Sequence, residues 1–374
     1  ILKNSEKEIQ PMMNADTRNK NQLPWTDEQW KQIDMAVHDE CKRTKVAPKY
    51  LPLYPAPGAK TIPSDTVLLN DQRNRQGEQK LTIDETATTP ILELEVQFRL
   101  TYQQIMEPDL SSVLTLATRA TNLLSQGVDI AIHQGQSAIT GRTAQPLFAD
   151  GRVVVVSGQA TTGLIEAPEF SGETSPIQTI QVPTTSAPGE FPPRWGENIF
   201  AAVSLAYSRL QSGQNLAQAH YGPYVCILNF QPYADSYAPL PTTLIIPADR
   251  IKPLVTEMPY GMMSMSEDMM KKHTEDMHSY GRDMSYMYAH HKYPRYYGTG
   301  TLPLTPKPIG LFLSLGGNTM DLVIGQDAFT EYVRQEGNFY CFRVFERFAL
   351  RLKDPTSVIR LEFQQPTAST PPSD

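Results

Sequence analysis

The sequence predicts an α+β protein with a discontinuous domain, and three observations carry the prediction. Residues Leu92 to Leu100 alternate apolar and polar one by one, the segment from Pro108 to Ile132 repeats at the helical period, and strand-like alternation returns between Tyr340 and Phe363. Strands from distant parts of the chain, with a long helix between them, must therefore share one core.

Residues 1–23 are polar without sustained periodicity and read as a flexible N-terminal arm. Order begins at Pro24. Thr26 and Gln29 have the spacing of a capping box, Trp25 and Trp30 occupy the two staple positions around it, and Trp30, Ile33, Val37 and Cys41 then form one apolar stripe. From Ala47 to Pro90 the prolines, and the charged stretch Asp71 to Glu78 set between Thr66–Leu69 and Lys80–Ile83, predict an extended hairpin arm without a core of its own. In the strand that follows, Leu92, Leu94, Val96, Phe98 and Leu100 make the packed face and Glu93, Glu95, Gln97 and Arg99 the other. Val113, Ala117, Ala120 and Leu124 give the next helix an apolar face that should cover that sheet.

Thr140 to Pro193 is rich in Gly, Ser, Thr and Pro and reads as long surface loops around the short run Val153–Val156. A second helix is expected over Glu197–Leu210 and a strand over Val225–Phe230. Gly316 and Gly317 predict a hairpin turn between Phe312–Leu315 and Leu322–Ile324. Tyr340, Phe342, Val344, Phe348, Leu350 and Leu352, followed by Ile359, Leu361 and Phe363, read as a long C-terminal hairpin, and residues 364–374 as a disordered tail.

Composition narrows the function. With 374 residues, 40% apolar and 20% charged, the chain has enough material for one or two sizeable cores. Its 33 basic and 40 acidic residues give a net charge of −7, which offers no attraction to nucleic acid or an anionic membrane. The longest apolar runs are a few residues, against the roughly 20 that a membrane helix needs. Cys226 and Cys341, in apolar strand-like runs, read as core thiols of a reducing cytoplasm. The opening at Ile1 leaves room for a preceding segment, a removed signal peptide included.

No catalytic constellation emerges. His38, His133 and His220 have no neighbouring acid and nucleophile in a recognised motif, and His133 reads as a cation at a helix end. Phosphate-loop, dinucleotide, HExxH and paired-cysteine patterns are missing from the sequence. One stretch is chemically distinctive: nine of the fourteen methionines fall between Met258 and Met287. Met263, Met270, Met277, Met284 and His291 are spaced by sevens, and Met265, Met269, His273 and Met277 by fours, which on a helix makes one stripe of soft donors. Thioether and imidazole are the donors Cu(I) prefers, so these eight residues are metal candidates. The commoner use of such a stripe is an adaptable apolar face against a neighbouring chain, with Tyr280, Tyr286 and Tyr288 as filler.

Several segments, in order, resemble the encapsulins. Pro24 to Asp34 looks like that family's opening helix, and Ile91 to Phe98 like the strand after its extended loop. Asp109–Ser112 and Asp129–Gly135 are similar to the two ends of its spine helix. Gly316 to Asp327 resembles its Gly-Gly-Asp and Gly-Gln-Asp stretch, and Phe345 to Phe363 fits its ending.

The resemblance implies the tailed-phage major capsid fold: an N-terminal helix over 24–50, an extended E-loop over 51–90, a P-domain over 91–220 and 331–363 containing the spine helix, and an A-domain over 221–330 carrying the insertion 257–297. It further implies a self-assembling icosahedral shell in the cytoplasm, structural and not enzymatic, requiring no cofactor and free of nucleic acid and membrane. A cargo enzyme would be held through a targeting peptide, in a groove for which Ile33, Val37, Phe342 and Val344 are the candidates, narrowed by the lengthened arm 1–23. On the A-domain the insertion would lie near a vertex pore. A phage or prophage major capsid protein is the alternative, and a hydrolase or bacteriocin activity finds no organised site.

Overall fold

Helix α1 (Asp27–Thr44) begins at the capping box read from the sequence, with the Thr26 hydroxyl accepting from Gln29 N and the Gln29 side chain accepting from Thr26 N. Trp25 and Trp30 meet edge to face, ring centroids 5.1 Å apart, and close the staple. The structure is a computed structural model that describes residues 23–70, 80–84, 86–141, 143–170, 178–187, 190, 192–213, 218–241, 243–256 and 295–366. Residues 1–22 of the N-terminal arm, the charged stretch from Asp71, most of the insertion and residues 367–374 of the expected tail lie outside the described residues, while Leu23, read as the end of the arm, is buried in the first core.

After α1 the chain lays down β1 (Leu53–Pro55) and β2 (Thr61–Pro63), runs out and back along β3 (Thr66–Asn70) and β4 (Lys80–Asp84), and returns through β5 (Thr88–Pro90) to the long strand β6 (Leu92–Thr101). Short α2 (Tyr102–Ile105) leads into α3 (Ser111–Gln134), the long helix expected over the sheet. Next come α4 (Pro146–Ala149), β7 (Val154–Ser157), α5 (Ala167–Phe170), β8 (Thr179–Val182), α6 (Glu197–Ser212), β9 (Tyr224–Asn229), α7 (Phe230–Ser236) and α8 (Pro247–Ile251). Beyond the insertion follow β10 (Tyr296–Thr299), β11 (Ile309–Ser314), β12 (Met320–Glu336), β13 (Phe339–Leu352) and β14 (Val358–Phe363).

Two five-stranded sheets order these elements, β1-β12-β13-β6-β7 and β10-β9-β11-β14-β8. In the first, Phe342 stands opposite Phe98, Val344 opposite Val96 and Phe348 opposite Leu92, so the alternation of β6 meets that of β13 in phase. Helices α1 and α3 cover this face, and Trp30, Ile33, Val37, Val113, Ala117 and Leu124 share one core with it. The second sheet carries α6 and α8 on one face, where Ile199, Val203 and Ile251 join Cys226, Phe312 and Phe363. Its central strands are buried on both faces, because Val225, Ile227, Leu311 and Leu313 belong to the first core. All three cysteines are buried free thiols.

The structure corrects several expectations. There is no C-terminal hairpin: β13 pairs with β12 and β6, and after a turn capped by Asp354 the chain crosses to the second sheet, where β14 pairs with β11 and β8. Two apolar alternations in succession looked like partners, yet each completes a different core. Gly316–Gly317 is a turn with Gly317 at φ 73°, but it joins strands of different sheets and so makes no hairpin. Helix α6 and strand β14, inside the stretches expected for the P-domain, belong to the second core. Within 140–193 the described residues include α4, β7, α5 and β8 as well as loops.

The end of α3 holds a second surprise. Its carbonyls Ile132 O and His133 O accept from Leu164 N and Ile165 N, an approach so close that a Cβ on Gly135 would lie 2.4 Å from Gly163 N. His133 is no helix-end cation. It is fully buried between Tyr50 Oη at 2.8 Å and Thr301 Oγ1 at 2.9 Å, and burial holds its pKa down to about 3, so it is neutral. One turn earlier, Asp129 accepts from Val46 N and Ala47 N at 2.8 and 3.0 Å and ties the chain leaving α1 to α3. Burial raises its carboxyl from 3.8 to about 6, more than those two amides lower it. The folded state thus binds this proton more tightly than the unfolded state, and the contribution is full below the ordinary carboxyl pKa and lost as pH rises through about 6. Asp129→Asn removes that slope. Between pH 4 and 7 the stability of the parent relative to the variant should fall by roughly 1–3 kcal/mol in urea unfolding, and a flat difference would contradict the assignment.

Candidate functional site

Three parts of the surface bear on function, and the arm comes first. Among the described residues, strands β3 and β4 pair only with each other, from Thr66 opposite Asp84 to Asn70 opposite Lys80, and enter neither large sheet. A backbone bond at the root, Val67 N to Lys353 O at 2.9 Å, joins the arm to the body, and Ile83 is exposed. The sequence reading of a hairpin without its own core agrees with this geometry.

The second part is the α1 face. Ile33, Val37, Phe342 and Val344, the groove candidates, are all fully buried and lie in the first core. They do not line an open groove, because the stripe that marks them is the stripe that fastens α1 to the sheet. The nearest open space lies at the other end of the helix. A cleft of about 720 Å³ is bounded by His38, Cys41 and Lys45 of the α1 end, Leu53 and Pro55 of β1, and Ile324 of β12. Leu53 is half exposed.

At the floor of this cleft sits an ion pair. Lys45 Nζ lies 2.5 Å from Glu346 Oε2 with both side chains buried, and Asp327 stands 3.9 Å from the same ammonium. Burial works against the charged form of Lys45, but the carboxylates beside it outweigh burial and hold the ammonium above its ordinary range. Burial likewise pushes the Glu346 carboxyl up, against the pull of Lys45. The sequence carried a signal that was missed. Glu346 falls in phase with Phe342, Val344, Phe348 and Leu350, and a carboxylate on the packed face of a strand needs a buried cation.

The third part is the base of the insertion. Arg295 N donates to Val255 O at 3.1 Å and Cys226 N to Arg295 O at 2.9 Å, so the two ends of the insertion meet at one place beside the second sheet. Met263, Met265, Met269, Met270, His273, Met277, Met284 and His291 lie outside the described residues. Among the described residues no group of three or more His, Cys, Asp or Glu is placed to hold a metal ion, and no helix is long and apolar enough to cross a membrane. His220 is buried, with Nε2 2.8 Å from Thr356 Oγ1, and that hydroxyl donates to Asp354 Oδ1 at 2.5 Å. The same carboxylate lies 3.9 Å from His220 Nε2, so hydroxyl and acid gather at one ring nitrogen and the trio lacks the order of a nucleophile, a base and its orienting acid.

Compared with solved structures, 90% of the chain aligns with the whole of the virus-like particle subunit from Pyrococcus furiosus, at 14% identity and a TM-score of 0.53. The chain has this capsid-type shell fold. The capsid fold expected from the sequence resemblance is therefore the fold found. Also similar are Mycobacterium phage Bobi (TM-score 0.49, 11% identity, 86% of this chain and 91% of that one) and the holo-SrpI encapsulin complex from Synechococcus elongatus PCC 7942 (0.42, 9%, 85% and 88%). No protein-family model matches the sequence, and no curated protein matches it either.

Within this capsid fold the buried pair beside the cleft should respond asymmetrically to mutation. Lys45→Met strands Glu346 and should cost about 3–5 kcal/mol, while Lys45→Met with Glu346→Leu should recover most of that loss. Chemical denaturation of both variants checks it. Because the stranded carboxyl titrates above its unfolded value, the single variant should regain stability as pH falls.

Proposed function

We propose that the chain is the subunit of a closed icosahedral protein shell, an encapsulin-type cytoplasmic compartment that encloses a cargo enzyme and has no catalysis of its own. The observation that carries this reading is the match to an entire virus-like particle subunit, over nine tenths of the present chain. Two features support it. Among the described residues the β3–β4 hairpin has no partner strand in its own chain, and in a shell its burial is supplied by a neighbour. The net charge of −7 disfavours a packaged genome, which favours the compartment over the phage capsid alternative.

The cleft at the end of α1 is the proposed seat for the cargo's targeting peptide, in place of the buried groove candidates. Its apolar walls at Leu53, Pro55 and Ile324 suit an extended apolar segment. The insertion is proposed to serve the vertex, lining or closing its pore, with Cu(I) held by its methionines and histidines as the chemically specific version.

Electron microscopy of the purified protein should show closed particles, mass spectrometry a second co-purifying protein, and the absorbance ratio little nucleic acid. A monomer in native gel filtration overturns the shell reading, and shells filled with nucleic acid turn it into a phage capsid. Leu53→Asp should release the cargo from intact shells. Retention of Cu(I) that is lost on combining Met263→Leu, Met270→Leu, Met277→Leu and Met284→Leu would support the metal version, and equal retention would reject it.

A further inference from the structure

At the root of the arm four charges meet. Arg351, on β13, grips Asp321 of β12 with both arms of its guanidinium, Nε to Oδ1 at 2.9 Å and Nη2 to Oδ2 at 2.7 Å. Its remaining nitrogen, Nη1, reaches Asp65 Oδ2 at 2.5 Å, one residue before β3 begins. Lys353 Nζ holds Asp321 from the other side at 2.8 Å. Arg351, Asp321 and Lys353 are buried, whereas the Asp65 side chain is one-third exposed.

This arrangement differs in kind from the Lys45–Glu346 pair. Separating that pair leaves a buried charge without a counterion, so it stays closed. Separating Asp65 from Arg351 leaves no such debt: Asp321 keeps both of its cations, Arg351 keeps its two-pronged partner, and Asp65 turns to water. The contact is also well placed to set an angle. Asp65 sits at φ 51°, in the left-handed region, at the point where the chain turns out of the body into β3, and the next tie is the single bond from Val67 N to Lys353 O.

We propose that Asp65 and Arg351 form a releasable ionic latch that fixes the direction of the arm and lets the hairpin swing as a unit when it opens. That the swinging arm serves to meet a neighbouring subunit rests on the shell reading; the latch itself is a property of one chain.

Hydrogen exchange on the full-length protein tests it in whatever assembly state the protein adopts. Asp65→Asn is the informative variant, because asparagine tolerates the left-handed backbone and only the charge is removed. The Val67 amide, which donates to Lys353 O at the root, should exchange about tenfold faster than in the parent, with the amides bonded between β3 and β4, and those of β6 and β13, unchanged. High salt should move the parent in the same direction, since Asp65 is open to solvent. Glu331→Gln, which takes a carboxylate from Arg343 farther along the same sheet, should leave the arm as it was. Unchanged protection at the root in Asp65→Asn, or a rise spread through β6 and β13, overturns the latch. Particle formation is scored separately by microscopy, so a chain that never assembles sinks the shell reading while the exchange result stands.

Discussion

One apolar strand face organises the molecule, the row Phe342, Val344, Phe348 and Leu350 on β13. From Phe342 to Phe348 it is matched residue for residue by β6, which comes from the first third of the chain, and it is roofed by α1 and α3. Each large side chain in that row is worth about 1.5–3 kcal/mol when fully buried, and none of that is available until the two ends of the sequence have met. Phe342 shows the dependence, since it stacks on both Phe98 and Trp25 and so joins the late strand, the early strand and the entry to α1. The arm, the cleft and the second sheet are placed relative to this row.

Much of the fold was legible because its local signals agree. The capping box at Thr26 and Gln29, the staple at Trp25 and Trp30, the strict alternation from Leu92 and the apolar face of α3 each predicted an element that exists. What failed was partnership. Ile359, Leu361 and Phe363 alternate as a strand should, but alternation says which residues face a core and not which core, and the turn at Asp354 leads to the other sheet. The same limit hid the cleft. Ile33 and Val37 were recognised as one stripe, and a stripe on a helix beside a sheet is consumed by packing. The space that remains open is made by Leu53 and Ile324, residues without a periodic signal. His133 was misread because its position at a helix end suggested a cation, while the Tyr50 and Thr301 that surround it come from far along the sequence.

The charged residues divide into two populations. Lys45 with Glu346, and Asp129 beneath its two backbone amides, are sealed among apolar side chains and hold α1 and its exit in register with α3 and the sheet. On the outer face of the first sheet, Arg343 lies between Glu95 and Glu331 at 2.9 and 2.7 Å in a setting still reached by solvent. Such pairs give the sheet surface a neutral texture more than they give it strength. At Asp65 and at Asp327 the two populations touch.

The closure at Val255 and Arg295 has a consequence for how such a fold can change over time. Once the two ends of an excursion are fastened to each other, the entropy of closing the loop grows only as the logarithm of its length, by about 0.6 kcal/mol for each doubling. The short 3-10 helix Lys252–Val255 before it and β10 after it bear none of the added cost. That junction is an open port in the fold, where a segment of almost any length or chemistry can be exchanged while the second sheet beside it keeps its shape.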